Sequence, residues 1–371
     1  MNRVLCSLPL IIFCTSISPA QLNWGGEMSV YLLKSARTTS PRAVNNGDAT
    51  FGWRGDFLFD AAVSDQISGF CTIRVLENQY INFDALAVRI TDIASLGLNL
   101  QVGKFDLPFG NLAERRFPRR NPLYSVPLIY DYSMSLPNYA PTQYDLLRNR
   151  GLGLGMRLLD RGMYDVGVEV FGTAGILSYA VAVSNGMISA NSYNTLNTNG
   201  DFGKLIRLAV TPTTGLTLGT AFSWGAYLEN SGQYAARTFD PAKYLQRIGE
   251  VDLEFSAGHA VIFGEAVYST YRVPFTHDDA DLSVTGYYGE AKYTLIPRLY
   301  VAVRVNGLIF SKVTDDLVSE PWDYNVTEVE GGLGFFLDRD VLLKLVRRET
   351  HTDGGSKPKD NLTVAQLVVA F

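Results

Sequence analysis

Asn361-Leu362-Thr363-Val364-Ala365-Gln366-Leu367-Val368-Val369-Ala370-Phe371 closes the chain. The segment is β-branched and apolar, carries no side-chain charge and stops on an aromatic. Exposed termini are usually polar and loosely held, so this end needs both a partner strand and an apolar medium. A transmembrane β-barrel supplies both, because its last strand pairs with its first while one face meets lipid. The edge strand of a soluble β-sandwich competes with that reading on this segment alone. In the barrel reading Thr363, Ala365, Leu367, Val369 and Phe371 face lipid and Gln366 faces the lumen. The strand then runs antiparallel to one covering residues 25–32.

The other end carries an export pattern. Arg3 is the only charge before Glu27, residues 4–13 are apolar, and Ser18-Pro19-Ala20 closes a small-residue region. This predicts a signal peptide over residues 1–20, too short in its apolar part to span a bilayer as a helix. Phe13 before Cys14 argues against a lipid anchor. Cys6 and Cys14 leave with the leader, so the mature chain keeps Cys71 alone and forms no internal disulfide. An exported chain without disulfides fits a bacterial envelope.

Residues 21–371 show no Pro/Ser linker, no low-complexity tract and no further run long enough for a membrane helix, so they read as a single barrel domain. The formal net charge of −5 argues against a nucleic-acid partner.

Period-two alternation recurs along the chain. Trp53, Gly55, Phe57, Phe59, Ala61 and Val63 oppose Arg54, Asp56, Leu58 and Asp60. Val251, Leu253 and Phe255 oppose Glu250, Asp252 and Glu254, and Val301, Val303 and Val305 oppose Tyr300, Arg304 and Asn306. Leu152, Leu154, Met156 and Leu158 oppose Gly151, Gly153, Gly155 and Arg157, and read as one more strand. Alternation does not say whether the apolar face meets a core or lipid. Runs of about ten residues, apolar faces rich in Gly and Ala, and aromatics such as Trp53, Trp224 and Tyr293 at the strand ends favour lipid.

Short links, including residues 64–66, 160–162, 257–259 and 296–298, alternate with long polar ones, including 34–47, 111–149, 186–202 and 311–325. That alternation matches short periplasmic turns and long extracellular loops. The expected fold is therefore an all-β, antiparallel transmembrane barrel of about 16 strands, with 12, 14 and 18 also compatible. The count treats residues 164–185 as one long strand kinked at Gly172-Thr173-Ala174-Gly175.

A barrel of this size encloses water. Basic residues expected to line it are Arg54, Arg74, Arg89, Arg157, Arg207, Lys292, Arg304, Lys344 and Arg348. Acidic ones include Glu27, Asp56, Glu250, Asp252, Glu254, Glu265, Glu290, Glu328 and Glu330, and are denser in the second half. One reading is a transverse field that orients polar solutes; the other is cross-strand pairing that stiffens the wall. The loop 111–149 holds Arg115, Arg116, Arg119 and Arg120, with tyrosines and prolines after them. Folded inward it would narrow the pore and favour anions; folded outward it is a surface loop or binds anionic lipid headgroups.

The run Val102-Gly103-Lys104-Phe105-Asp106-Leu107-Pro108-Phe109-Gly110 resembles the "GxFxxPFG" strand of phosphate-selective-type porins. The run from Leu177 through Asn185-Gly186 is similar to their "LxYxVxVxNG" strand, and residues 293–310 to a late hairpin of that family. The terminal Phe371 resembles the C-terminal signal of bacterial outer-membrane barrels, which implies the barrel-assembly machinery as a partner. The porin resemblance implies a 16-stranded, trimeric diffusion channel in the bacterial outer membrane. Acidic residues interleave where the family has a lumenal arginine ladder, so phosphate selectivity is not carried over.

The expected function is passive diffusion of small hydrophilic solutes or ions, with no cofactor, no metal and no catalytic residue. A transporter of hydrophobic compounds and a surface adhesin are alternatives. A lipid hydrolase is a third, resting on His259, His277 and His351, but no Gly-x-Ser-x-Gly elbow accompanies them.

Overall fold

A computed structural model of the chain describes residues 21–35, 47–77, 80–160, 163–189, 197, 199–229, 239–275, 278–315, 318–354 and 361–371. The expected leader and His277 lie outside the described residues.

Eighteen strands are described. The first half contains β1 (Gln21–Ser35), β2 (Ala49–Ala62), β3 (Ile67–Leu76), β4 (Ile81–Ile93), β5 (Leu98–Asp106), β6 (Tyr164–Ala174), β7 (Leu177–Ser184), β8 (Gly203–Thr213) and β9 (Leu216–Ala226). The second contains β10 (Leu245–Ala257), β11 (Ala260–Pro274), β12 (Asp279–Ile296), β13 (Leu299–Phe310), β16 (Val326–Asp338), β17 (Val341–Thr352) and β18 (Leu362–Ala370). A separate hairpin, β14 (Lys312–Asp315) with β15 (Val318–Pro321), decorates the link after β13. The other sixteen close into one antiparallel barrel, with β18 paired to β1. Closure satisfies every strand edge, which a bilayer core demands.

The final strand occupies the place its sequence called for. Thr363 pairs with Lys34 and Ala370 with Glu27. Thr363, Leu367 and Val369 point out, while Gln366 is buried inward. Phe371 lies between the rings of Trp24 and Phe57, with centroids at 5.9 and 6.1 Å, and exchanges two backbone hydrogen bonds with Gly26 at 3.0 Å. Around the wall, outward side chains such as Val303, Leu345 and Val251 stay exposed, where a soluble protein would bury them. Cys71 is half-buried on the same outer face.

Two strand assignments change. Residues 151–158 are not a strand: Gly151 and Gly153 have φ of +70° and +64°, a left-handed backbone incompatible with β structure. Their glycine-every-second-residue pattern imitated a strand without supplying a ladder, and residue 160 accordingly belongs to a loop. Residues 164–185 are two strands, β6 and β7, joined at Gly175-Ile176, with Gly175 at φ +61° in the tight turn. One strand lost and one gained leaves the count at sixteen. The connection between β5 and β6 thus covers residues 107–163, longer than 111–149 at both ends, and contains two short helices, α1 (Leu128–Asp131) and α2 (Gln143–Arg148).

The densest packing lies inside the barrel, between this connection and the wall. Leu128, Ile129, Tyr130, Leu158, Tyr271 and Trp322 are fully buried there.

Candidate functional site

The loop of residues 107–163 descends through the lumen almost to the short-turn end and climbs back. On the way down, the Asn111 amide donates to the carbonyls of Leu253 and Gly264 at 3.3 and 3.2 Å. At the lowest point, Arg119 Nη2 donates to the Arg339 carbonyl at 2.8 Å and to Asp340 at 3.0 Å, while its backbone N–H donates to Glu27 at 3.1 Å. The tip is shaped locally. Asn121 accepts from Leu123 N–H and donates to the Ser125 carbonyl, a side-chain-closed turn. Pro118 and Pro122 remove two N–H donors from the tip, and their carbonyls take side-chain partners, Tyr300 Oη donating to that of Pro122 at 3.1 Å. Lys344 from β17 uses all three donors on loop carbonyls, those of Pro118, Asn121 and Leu123, at 2.8, 3.2 and 2.8 Å.

The acidic second half of the wall serves as the loop's dock. Glu290 accepts from Arg115 and Arg304, each at 2.9 Å. Arg304 also pairs with Glu330 and donates to the Ser125 carbonyl at 2.6 Å. Glu330 accepts Ser125 N–H at 3.0 Å, Asn306 accepts Leu128 N–H at 2.7 Å, and Tyr130 donates to Glu265 at 2.7 Å. Arg115 sits over the Phe263 ring at 3.9 Å and bonds Tyr288 Oη at 2.5 Å. Glu328 takes Arg348 at 3.4 Å. Arg207 binds Glu250 and Asp252 at 2.8 and 2.7 Å. Glu290, Arg304 and Glu330 are at most 1 % exposed, so the loop, not water, is their neighbour, while Glu328, equally buried, is enclosed by Asn306, Arg348 and Thr350 of the wall. Breaking such a buried pair by removing one partner costs about 3–5 kcal/mol.

Beyond this dock the lumen is open, along β16–β18 and β1–β3 toward the long-loop end and along β1–β6 toward the short turns. A cavity of about 450 Å³ lies toward the long-loop end, and another of about 610 Å³ toward the short turns. No described residue lines both. Arg116 faces the first, and its ion-pair partner Asp106, at 2.5 Å, faces the second. The pair marks the partition, with Arg116 stacked over the Tyr164 ring at 4.6 Å. Among the described residues, five arginines line the upper cavity, Arg54, Arg74, Arg116, Arg157 and Arg348, against one carboxylate, Asp131. Their counter-charges sit behind them. Asp56 accepts from Arg54 at 2.6 Å and from Arg74 at 2.9 Å, and Asp84 takes Arg74 at 2.9 Å. Carboxylates held in the wall thus turn guanidinium faces toward the cavity, while Tyr31 and Tyr124 form an edge-to-face pair beside them at 5.3 Å. The lower cavity is mixed: Arg89, Arg119 and Arg120 stand with Glu27, Asp106, Glu114 and Glu169.

The remaining sequence-selected residues fall outside the loop's dock. Arg89 donates to Gln101 at 2.7 and 3.0 Å between the rings of Phe70 and Phe171. Arg120 pairs with Glu114 at an exposed position. Arg157 holds Asp160 at 2.8 Å. Lys292 lies 4.6 Å over the Tyr300 ring, and Glu254 is exposed near the end of β10. Asp84 and Asp106 were not anticipated. Asp84 is the extra residue of a β-bulge in β4, opposite Thr72 and Ile73, so it and Ala85 are both buried and the alternation breaks. Tyr288 alternates in phase with Glu290 and Lys292, a signal legible in the sequence.

His259 packs 6.1 Å from Tyr293 at a short turn, and His351 meets Asp353 at 3.4 Å on the exposed rim. Neither bonds a serine among the described residues.

No family model and no curated protein matches this chain. Solved structures do. The outer membrane channel DcaP of Acinetobacter baumannii superposes with TM-score 0.61 at 11 % identity, over 96 % of this chain and 99 % of that one. A trimer form of OmpT, an outer membrane protein of Vibrio cholerae, gives 0.57 at 8 %, over 95 % and 100 %. The anion-selective porin from Comamonas acidovorans gives 0.56 at 9 %, over 95 % and 100 %. The barrel is theirs. At these identities the likeness is one of fold, and the function must be argued from this chain's own residues.

Proposed function

We propose that this protein is an outer-membrane porin through which small hydrophilic solutes diffuse passively, anions more readily than cations. The carrying observation is the divided lumen: a loop locked to the wall leaves two polar cavities beside it, and among the described residues the upper one is lined by five arginines against one carboxylate. Guanidinium groups held from behind by Asp56, Asp84 and Glu328 keep their positions and need no reorganisation to meet an anion. A cavity of about 450 Å³ is much larger than one phosphate, which fits a general anion path better than a phosphate-selective one. The apolar outer wall belongs in lipid, the long loops outside the cell and the short turns in the periplasm. The export leader, recognition of the final strand by barrel-assembly machinery, and a homotrimer like the trimer form of OmpT complete the reading.

Planar-bilayer recording of the refolded barrel is the test. Discrete conductance steps, with a reversal potential in a salt gradient displaced toward the anion, are expected. A silent membrane overturns the channel reading, and a cation-directed potential overturns the charge preference.

A further inference from the structure

The outer wall carries a row of side chains that the channel does not use. Cross-strand pairing places Lys204 on β8 opposite Trp224 on β9, Trp224 opposite Arg247 on β10, and Arg247 opposite Thr270 on β11. All point outward, because the inward partners on the same strands are Leu205, Ser223, Gln246 and Tyr271, all buried. Two residues toward the short turns the same face becomes Ile206, Phe222, Gly249 and Tyr268. The row therefore sits at the upper edge of the apolar band, and Trp224, stacked on Phe222 at 5.6 Å, marks the interface there.

Arg247 is the anomaly. It is exposed, and among the described residues no carboxylate or carbonyl accepts from its guanidinium. Neighbouring cations differ. Arg272 is held by Asp279 and Asp281 at 3.4 Å, and Lys204 is paired with Asp201 but keeps two further ammonium donors. A guanidinium on the lipid side of a barrel is costly at mid-depth and tolerated only near the interface, where an anionic headgroup supplies the missing acceptor. Lys204 and Arg247 stand two strands apart, roughly 9.6 Å by strand spacing. That separation suits a headgroup carrying more than one phosphate.

We propose that Arg247, Lys204 and Trp224 form a binding site for a multiply phosphorylated glycolipid of the outer leaflet. The assignment rests on the reading of the chain as an outer-membrane barrel. Arg247 takes one phosphate bidentately, Lys204 takes a second, and the Trp224 ring packs against the sugar and acyl junction between them.

The test uses the full mature barrel in phosphatidylcholine bilayers containing a minor fraction of bisphosphorylated lipid A, monophosphorylated lipid A or phosphatidylglycerol. Lipids retained through extraction are counted by native mass spectrometry. Wild type should retain bisphosphorylated lipid A in preference to the other two. R247Q should lower retention about fivefold and K204Q/R247Q more than tenfold, while R247K keeps most of it. Heat-modifiable mobility, unchanged in each variant, shows that the barrel has folded. Equal retention by all variants, or equal retention of the three lipids, overturns the site. Conductance recorded on the same samples separates the two failures. Channels with unselective lipid retention sink the site alone, whereas an absence of steps sinks the channel reading.

Discussion

The two sides of the lumen are built from the same residue types by the same alternation and do opposite things. Along β10–β17 the inward carboxylates are dry: Glu290, Glu328 and Glu330 meet arginines and loop backbone. Along β2 and β3 the inward arginines are wet, with Asp56 and Asp84 behind them, and the same cavity reaches Arg348 on β17, held by Glu328. One descending loop makes the difference. A transverse field between an acidic and a basic wall was one reading of the sequence, and cross-strand pairing the other. The structure instead places much of the acidic set under the loop, so the free passage faces guanidinium groups on its upper side.

Breaking the dry side should have the largest effect. Arg304→Ala leaves Glu290 and Glu330 buried without their shared cation and should weaken loop docking by about 3–5 kcal/mol. The expected readouts are larger conductance steps and new proteolysis within residues 107–163. Unchanged steps and an intact loop would mean that the dock does not hold the constriction.

Next comes the wet side. Arg54→Gln with Arg74→Gln removes two guanidinium charges from the upper cavity and leaves Asp56 and Asp84 uncompensated. The zero-current potential should move toward the cation, with the loop still protected from protease. A potential that stays anion-directed would assign selectivity elsewhere.

The rim offers a subtler handle. Asp323, in the connection before β16, accepts N–H bonds from Ser135, Gly151 and Tyr324 and a hydroxyl from Tyr132. Burial outweighs these bonds and pushes its carboxyl up to about 6 from 3.8. A value raised by docking means that its contribution is fully present below the free value and is lost as pH rises through about 6. Loop protection from protease should therefore decline between pH 4 and 6, and Asp323→Asn should flatten that decline. The smallest effect belongs to Arg120→Ala, whose exposed pair with Glu114 is worth less than about 0.5 kcal/mol and whose loss should leave melting unchanged.

These contrasts also mark what the sequence could tell. Strand alternation and the terminal Phe371 made the barrel legible, because side chains on a closed sheet have only two destinations. The loop was legible as arginine-rich and aromatic, but its limits were not, since the glycines of residues 151–155 mimic a strand and only their backbone angles deny it. Which polar lumen residues meet solvent was beyond reach, for alternation gives the face of a residue and not its neighbour across the barrel. Asp84 was hidden by a bulge, which shifts the phase of everything beyond it.

The tip of the loop has a consequence for assembly. Arg119 touches Glu27 on the first strand and Asp340 at the turn before β17, so it straddles the join between β1 and β18 from within. That join brings together the two ends of the described chain, the contact with the highest sequence separation and the greatest loop-closure cost. A strap across it slows the reopening of a completed cylinder more than it speeds the zipping of an incomplete one. Removing Arg119 should therefore show itself as a shorter lifetime of the assembled barrel in denaturant, with the yield of insertion unchanged.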